Sequence, residues 1–397
     1  MDPIIALENQ YSAHTVNSLP IVLVKGHGCQ VQDTKGNSYL DFASALAVNN
    51  FGHCHPDIVA AAQQQVAKLT MCSRLFYNEH LGTLSEKVCQ LTGLNQALPM
   101  NSGAEAFETA VKASRRWGYS RKDIAEDQAE IIMCHNNFHG RTVTAISAST
   151  KQNHRTQFGP FTPGFTFIDF NNADALEKAI HHNTVAFIVE PIQGEGGVII
   201  PDQDYLQKCA DICQKHNVLF ILDEIQTGVG RTGQFLACQH HDVLPDGVLL
   251  GKGLGGGVLP VSMLVGKKSL MSIFTPGSHG STFAGSPFAC AVSIAALNVL
   301  VKEKLSDNAQ TLGQYFLEQL QTFSHSAIRA VRGKGLLVAI EFDADQIDVA
   351  ELCQQLAQAG LLVINTHNYL IRLAPPLNIG RSEIDQAVAI LKKVLAA

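Results

Sequence analysis

The 397-residue chain is short of charged side chains, which make up 16% of it, and it contains no strongly basic segment. Its 35 acidic residues outnumber its 29 basic ones, which gives a formal net charge of −6. This balance argues against binding to nucleic acid or to an anionic membrane, because both require clustered positive charge. The 46% of hydrophobic residues excludes intrinsic disorder, and the length favours two or three domains. We expect a soluble enzyme or binding protein.

Signals for export and for membrane insertion are also missing from the sequence. The N-terminal segment carries Asp2 and Glu8 and has no cationic start before an apolar block, so neither a secretory signal nor a transit peptide is expected. Residues 269–301 have no charged side chain, but prolines and glycines leave only about 15 apolar residues there, against the roughly 20 that a bilayer requires. We predict a buried core helix in this region and a cytoplasmic protein.

The ten cysteines are scattered and form no CxxC pair. In a chain of this size such a distribution predicts reduced, mostly buried thiols. His53-Cys54-His55 and the pair His135 and His139 resemble metal ligands, but no partner cluster accompanies them in the sequence. We therefore predict no metal site.

Short apolar runs separated by helix-length segments fill the middle of the chain. Runs of this kind indicate strands buried on both faces, and hence an α/β fold with a mostly parallel, seven-stranded sheet under helices. The connection between the last two runs is too short for a crossover helix, so the final strand should be antiparallel. The runs are residues 97–100, 130–134, 165–168, 186–190, 219–224, 247–251 and 262–266.

The two ends of the chain differ from its middle. The opening segment 22–42 has the pattern of a β-meander with a DTKGN turn, and the part after Val301 alternates helices and strands as a smaller α+β unit does. We expect the meander to pack on that unit. The predicted division is an N-terminal segment of the small domain (1–48), a large domain (49–302) and a C-terminal small domain (303–397).

Lys252 and Asp223 are the first candidates for chemistry. Lys252 directly follows a buried strand and lies among glycines that allow a flat ligand to approach, and desolvation there lowers a lysine pKa and frees the amine for Schiff-base formation. A phosphate-binding or merely solvated lysine is the alternative. Asp223 ends an uncharged strand, where α/β sheets place ligands. Aspartates at that position also bind Mg²⁺ or ribose, but one facing a pyridine nitrogen would keep that nitrogen protonated.

Two further motifs are common on their own but become informative when they occur with a Schiff-base lysine. Ser102 and Glu105 form an S-x-x-E capping box, and the glycine between them exposes backbone N–H groups that suit a phosphate. In the segment 135–141, Phe138 could stack on a flat ring and Arg141 could bind a carboxylate. Taken alone, the pair would more simply be a core phenylalanine and a surface arginine.

Together these motifs resemble the class III, fold-type I pyridoxal-phosphate aminotransferases, and in particular the acetylornithine and ornithine aminotransferases. The resemblance extends over nearly the whole chain. It is carried by GHCHP (52–56), NSGAEA (101–106), NFHGRT (137–142), VEPIQGEGG (189–197), LDEIQTGVGRTG (222–233), GKGLGGG (251–257), GSHGSTFAGSPFAC (277–290), VRGKGL (331–336) and IRLAPPL (371–377).

The resemblance implies that pyridoxal 5′-phosphate is the cofactor, with Lys252 as the lysine that bonds it and Asp223 as the partner of its ring nitrogen. It also implies that Thr282 reaches the phosphate of a neighbouring subunit, so the active unit would be at least a homodimer. The other implied cofactor contacts are Gln226 near the ring hydroxyl, Phe138 and Ile225 on the ring faces, and Ser102, Gly103 and Ala104 at the phosphate.

An aminotransferase of this family accepts two dissimilar substrates in one pocket. By resemblance, Arg372 would bind the near carboxylate of glutamate and Arg141 the distal one. A donor with a terminal amine offers no near carboxylate, and Glu195 would then pair with Arg372 so that no buried charge stays unpaired. Ser281 and Arg141 would contact that donor.

The identity of the amine donor rests on fewer residues. Ornithine aminotransferases surround ornithine with tyrosines, and this chain has Val16 and Leu46 at the corresponding positions. An apolar wall suits an acylated nitrogen, so we predict N2-acetylornithine as the donor, although Ala104 and Phe107 depart from that branch. The alternatives are ornithine, 4-aminobutyrate and succinylornithine. The motifs fit less well with an aminomutase, a decarboxylase or a non-catalytic cofactor-binding protein, because such proteins do not require this full residue set.

Overall fold

The computed structural model describes residues 2–323 and 325–396. Its strands form three sheets, one of seven strands and two of four. The strands are β1 (Leu23–His27), β2 (Gln30–Asp33), β3 (Ser38–Asp41), β4 (Gln96–Met100), β5 (Glu130–Cys134), β6 (Phe165–Ile168), β7 (Thr184–Val189), β8 (Leu219–Asp223), β9 (Gly247–Leu250), β10 (Ser262–Gly266), β11 (Ile328–Lys334), β12 (Leu337–Phe342), β13 (Leu361–Leu362), β14 (Ile364–His367) and β15 (Leu370–Leu373).

The seven-stranded sheet has the order β4-β10-β9-β8-β7-β5-β6. The run β9-β8-β7-β5-β6 is parallel, whereas β10 is antiparallel to both of its neighbours. Every residue of β7, β8, β9 and β10 is buried, because helices cover both faces and each side chain in these apolar runs meets a packed layer. Both the mostly parallel sheet and its antiparallel strand are therefore confirmed.

Helices pack on this sheet and form much of the small unit. The charge-free region up to Val301 contains most of α11 (Pro287–Lys302), which follows a Ser286 cap and buries most of its length. The others are α1 (Pro3–Tyr11), a left-handed turn α2 (Ser44–Ala47), α3 (Pro56–Lys68), α4 (Leu81–Thr92), α5 (Gly103–Arg121), α6 (Val143–Ser147), α7 (Gln152–Arg155), α8 (Ala173–Ala179), α9 (Tyr205–Lys215), α10 (Lys268–Met271), α12 (Leu305–Gln321), α13 (Val349–Gln358) and α14 (Arg381–Leu395).

The two ends of the chain share one sheet. Strands β1, β2 and β3 form the expected antiparallel meander, and β13 adds to it in parallel through Leu361 opposite Leu40. The other four-stranded sheet, β11-β12-β15-β14, consists of C-terminal strands. The pairing of β3 with β13 supports a small domain built from both ends. The boundaries after residues 48 and 302 stay a prediction.

A fully buried arginine, Arg231, connects the central region to the C-terminal part. Its Nη1 atom donates to the carbonyl oxygens of Leu336 (3.0 Å) and Pro375 (2.5 Å), and its Nη2 atom donates to Asn50 Oδ1 at 2.7 Å. The Asn50 amide in turn donates to the Val229 carbonyl at 2.9 Å. One side chain thus satisfies polar groups from three distant segments that burial removes from water.

In the part of the chain that the structure describes, no helix is both long enough and apolar enough to cross a membrane.

We predict that Arg231→Leu lowers the free energy of unfolding by about 3 kcal/mol, because it leaves buried carbonyl and amide oxygens without donors. Chemical denaturation followed by circular dichroism measures the change. The control is Arg121→Leu on the exposed end of α5, which should cost about 0.5 kcal/mol or less. Equal denaturation midpoints for the two variants would contradict the role assigned to Arg231.

Candidate active site

A cavity of about 210 Å³ opens where the parallel strands of the large sheet end. Residues that follow β5, β7, β8 and β9 contribute to it, and the N-terminus of α5 closes one side. The carboxyl edge of an α/β sheet is the usual place for a ligand. The cavity is lined by Gly103, Ala104, Phe138, His139, Gly140, Glu190, Ile192, Glu195, Asp223, Ile225, Gln226, Thr227 and Lys252.

Lys252 lies two residues beyond the end of β9 and has a left-handed backbone, with φ of +42°. Residues other than glycine rarely adopt this conformation, and where they do so the strain often serves a site. Burial lowers the pKa of its ammonium to about 8, assisted by the positive charge of Arg372, while Glu195 acts in the opposite direction. The amine is therefore easier to deprotonate than an ordinary lysine.

Asp223 ends β8 as a buried carboxylate, and each of its oxygens has a partner. Its Oδ2 atom lies 2.6 Å from His139 Nδ1, and its Oδ1 atom accepts from the Ile225 backbone N–H at 3.1 Å. Burial opposes protonation of His139, but the hydrogen bond and charge of Asp223 outweigh burial and raise the His139 pKa. Phe107 stacks on the imidazole with 4.7 Å between ring centroids. These contacts fix His139 and Asp223 in a position that is buried from solvent.

The capping box at the start of α5 is present as predicted. Ser102 Oγ accepts from the Glu105 N–H at 3.2 Å, and Glu105 Oε2 accepts from the Ser102 N–H at 2.9 Å. The Ala106 N–H bonds the Ser102 carbonyl. Of the first four helical N–H groups, those of Gly103 and Ala104 remain to bind an anion, with the helix dipole behind them.

Phe138 and Ile225 both line the cavity, and neighbouring residues pack closely against them. The Phe138 N–H donates to Glu190 Oε2 at 3.1 Å, and the guanidinium of Arg141 lies 5.7 Å from the centre of the Phe138 ring. A Cβ atom added at Gly103 would lie 3.1 Å from Ile225. Gly140 has φ of +129°, and a Cβ there would come within 2.8 Å of Ala104. These glycines allow the start of α5 to pack closely against Ile225 and against the segment after β5.

Arg372 on β15 is buried and binds Glu195 on the loop after β7. Its Nη1 atom donates to Glu195 Oε1 at 2.5 Å and approaches Gln226 Oε1 at 3.5 Å. Burial would raise the Glu195 pKa, but Arg372 and Lys252 outweigh burial and hold it at about 2. The carboxylate is therefore ionised whenever the pair is formed. Arg372 Nε and Nη2 are buried and have no partner in the described part of the chain.

The structure brings most of the predicted site residues together, but not all. Among the described residues, the cavity lining does not include five of them. Arg372 binds Glu195, which itself lines the cavity. Ser281 Oγ accepts a hydrogen bond from Asn101 Nδ2 at 2.8 Å beside the start of α5. The five residues outside the lining are Ser102, Arg141, Ser281, Thr282 and Arg372.

Two buried groups of the site were missing from the residues predicted by sequence. In the sequence His139 resembles a metal ligand, whereas in the structure its ring binds Asp223. Glu190 follows the uncharged strand β7 as Asp223 ends β8, so the same pattern could have found it. Burial raises the Glu190 pKa to about 7, with Asp223 adding to the rise and His139 opposing it.

The residues present fit pyridoxal 5′-phosphate. The open N–H groups of Gly103 and Ala104 suit its phosphate, and Asp223, which lines the same cavity, suits a protonated ring nitrogen. Phe138 offers an aromatic face, and the amine of Lys252 suits its aldehyde.

Comparison with known proteins shows the family to which the chain belongs. The family model of aminotransferase class-III matches residues 11–395 of the chain. The ornithine aminotransferase of Geobacillus sp. (strain WCH70) is 48% identical over 393 residues, which cover 99% of this chain and 98% of that protein.

Solved structures give the same picture. The crystal structure of the ornithine aminotransferase from Toxoplasma gondii ME49 superposes with a TM-score of 0.97 at 43% identity, covering 99% of this chain and 94% of that one. The acetylornithine aminotransferase from Elizabethkingia anophelis superposes with a TM-score of 0.90 at 44% identity, covering 99% and 98%.

These relatives correct the predicted donor. The prediction of N2-acetylornithine is wrong, since full-length relatives at 48% identity are ornithine aminotransferases, which was the alternative. The error came from Val16 and Leu46. Val16 is 73% exposed and Leu46 is 50% exposed, and within the described residues neither lines the cavity of its own chain.

The fold, the residues of the cavity and the comparisons together support one family assignment. The chain belongs to the class III aminotransferases of fold type I and is a pyridoxal-phosphate-dependent transaminase.

Proposed function

We propose that this transaminase moves the δ-amino group of ornithine to 2-oxoglutarate. The observation that carries the proposal is the buried pair of Arg372 and Glu195 at the edge of the cofactor cavity. A single pocket that serves a terminal amine and a dicarboxylic acid needs a cation that can be covered or exposed. The names of the full-length relatives support ornithine as the donor.

When bound, pyridoxal phosphate supplies an electron sink that stabilises negative charge at the substrate carbon. Lys252 Nζ would hold the cofactor and would move a proton at the substrate carbon. Asp223, oriented by His139, would hold a proton on the ring nitrogen. The remaining proposed contacts are Ser102, Gly103 and Ala104 to the phosphate, Phe138 and Ile225 to the ring faces, and Gln226 to the ring hydroxyl.

Arg372 and Glu195 act as a switch between the two substrates. With ornithine in the pocket, Glu195 covers Arg372, and Arg141 and Ser281 contact the far end of the donor. With glutamate, the carboxylate beside the reacting amine takes Arg372, and Arg141 binds the distal carboxylate. The surplus of cations in the pocket thus matches the extra negative charge of the dicarboxylic substrate.

A homodimer is part of this proposal, with Thr282 completing the phosphate site of the neighbouring subunit. Thr282 is exposed and lies outside the cavity lining of its own chain within the described residues, which supports that arrangement. Exposed Phe76, Tyr77 and Phe283 offer apolar surface for a partner. Free thiols at all ten cysteines support a reducing compartment such as the cytoplasm.

The donor is tested by comparing ornithine with N-acetylornithine under matched 2-oxoglutarate. We expect kcat/KM to be at least about tenfold higher with ornithine, because acetylation adds bulk at the α-nitrogen and removes the hydrogen-bond donors of its ammonium group. A Lys252→Ala protein gives the background rate. Equal or better turnover of N-acetylornithine would overturn the proposed donor.

The switch is tested with Glu195→Gln, which keeps the size of the side chain and removes its charge. We expect kcat/KM in the ornithine half-reaction to fall by about tenfold or more, because Arg372 then stays buried without a counterion, while the glutamate half-reaction changes by less than about threefold. Stopped-flow spectra of each half-reaction measure the two constants. An equal loss in both half-reactions would refute the switch.

The lowered pKa of Lys252 predicts how the cofactor-free protein takes up pyridoxal phosphate. Below about pH 8 the amine is protonated and cannot attack an aldehyde, so the rate should rise about tenfold per pH unit and become constant above pH 8. The measurement is the amount of cofactor fixed on Lys252 by borohydride after short incubations, determined by peptide mass spectrometry. A rate that keeps rising toward pH 10.5 would show an ordinary lysine.

A further inference from the structure

The loop that carries Glu195 is held through its main chain. Two side chains from distant segments bind the carbonyl oxygen of Glu195, namely Lys151 Nζ at 2.8 Å and His367 Nε2 at 3.1 Å. Arg332 Nε donates to the Gly197 carbonyl at 2.9 Å. The backbone of the loop is therefore fixed from three directions, and a change at Glu195 has to occur by rotation of its side chain.

Rotation away from Arg372 leaves the Glu195 carboxylate in need of another partner. Its side chain is only 23% exposed, so water compensates the loss of the guanidinium incompletely. A buried or half-buried carboxylate that loses its cation is strongly destabilised. The substrate switch can work at low cost only if a second cation stands within reach of the rotated carboxylate.

Lys151 is the cation that the proposed reaction leaves available. Lys252 is committed to the cofactor and the reacting carbon, and Arg141 is committed to the distal carboxylate of the substrate. In the described part of the chain the Lys151 ammonium bonds only the Glu195 carbonyl, and an ammonium group has three protons to donate.

We propose that Lys151 is a positioning residue that receives the Glu195 carboxylate when glutamate or 2-oxoglutarate occupies Arg372. This inference rests on the proposed switch between Arg372 and Glu195 and adds the place to which the displaced carboxylate goes. Lys151 keeps its hold on the loop through one proton and offers the others to the rotated side chain.

Electrostatic coupling between the two side chains supports this role. Lys151 acts together with Arg372 and Lys252 against the effect of burial on the Glu195 pKa. Burial lowers the Lys151 pKa, and the Glu195 charge is the foremost influence that opposes this fall. Each group thus stabilises the charged form of the other while Glu195 still binds Arg372.

The test uses three variants of the holoenzyme that separate charge from tethering. Lys151→Met removes both, Lys151→Gln can still donate to the carbonyl but has no charge, and Lys151→Arg retains both. We expect Met and Gln to lower kcat/KM of the glutamate half-reaction by about tenfold, and Arg to keep it within about threefold of the unchanged protein. The ornithine half-reaction should change by less than about threefold in all three, since Glu195 then stays on Arg372.

The Glu195→Gln background separates this inference from the switch on which it rests. A neutral amide needs no cation, so Lys151→Met should cost the glutamate half-reaction nothing further there. If Glu195→Gln shifts the ratio of the half-reactions but Lys151→Met lowers both equally, or neither, the role of Lys151 is refuted and the switch stands. If Glu195→Gln leaves that ratio unchanged, the proposed switch itself has failed.

Discussion

The buried carboxylate of Asp223 imposes the strongest constraint on this structure. A charge removed from water must be paired, and Asp223 has His139 at 2.6 Å and a backbone N–H at 3.1 Å. These partners, together with Glu190 and Lys252, come from the ends of β5, β7, β8 and β9, which are adjacent in the large sheet. Parallel strand order thus brings these four ionisable groups to one cavity. The charge of Asp223 raises the pKa of His139, adds to the rise in the Glu190 pKa and opposes the fall in the Lys252 pKa.

The C-terminal unit contributes residues that contact the loop carrying Glu195. Arg372 on β15 reaches Glu195 on a loop of the large sheet, and His367 and Arg332 hold the main chain of that loop. The buried hydrogen bonds of Arg231 fasten the same two regions together. The switch proposed for Arg372 and Glu195 would therefore depend on how firmly the C-terminal unit is attached to the centre of the chain.

Local patterns explain how much could be predicted from sequence. The seven strands, the capping box at Ser102 and the strand-end positions of Lys252 and Asp223 follow from apolar runs and the residues next to them. The pairing of His139 with Asp223 spans 84 residues, so no local pattern carries it. The wrong donor prediction rests on Val16 and Leu46, and the identity of these two residues does not show that both side chains lie on the surface of the chain.

The parallel pairing of β3 with β13 has a consequence for synthesis on the ribosome. Leu40 pairs with Leu361, which is synthesised about 320 residues later, so the first sheet can be completed only at that point. At about 5–20 residues per second, the N-terminal meander emerges roughly 15 to 60 seconds before its fourth strand exists. During that interval the outer edge of β3 is an unpaired strand edge, the kind of surface that chaperones cover in nascent chains.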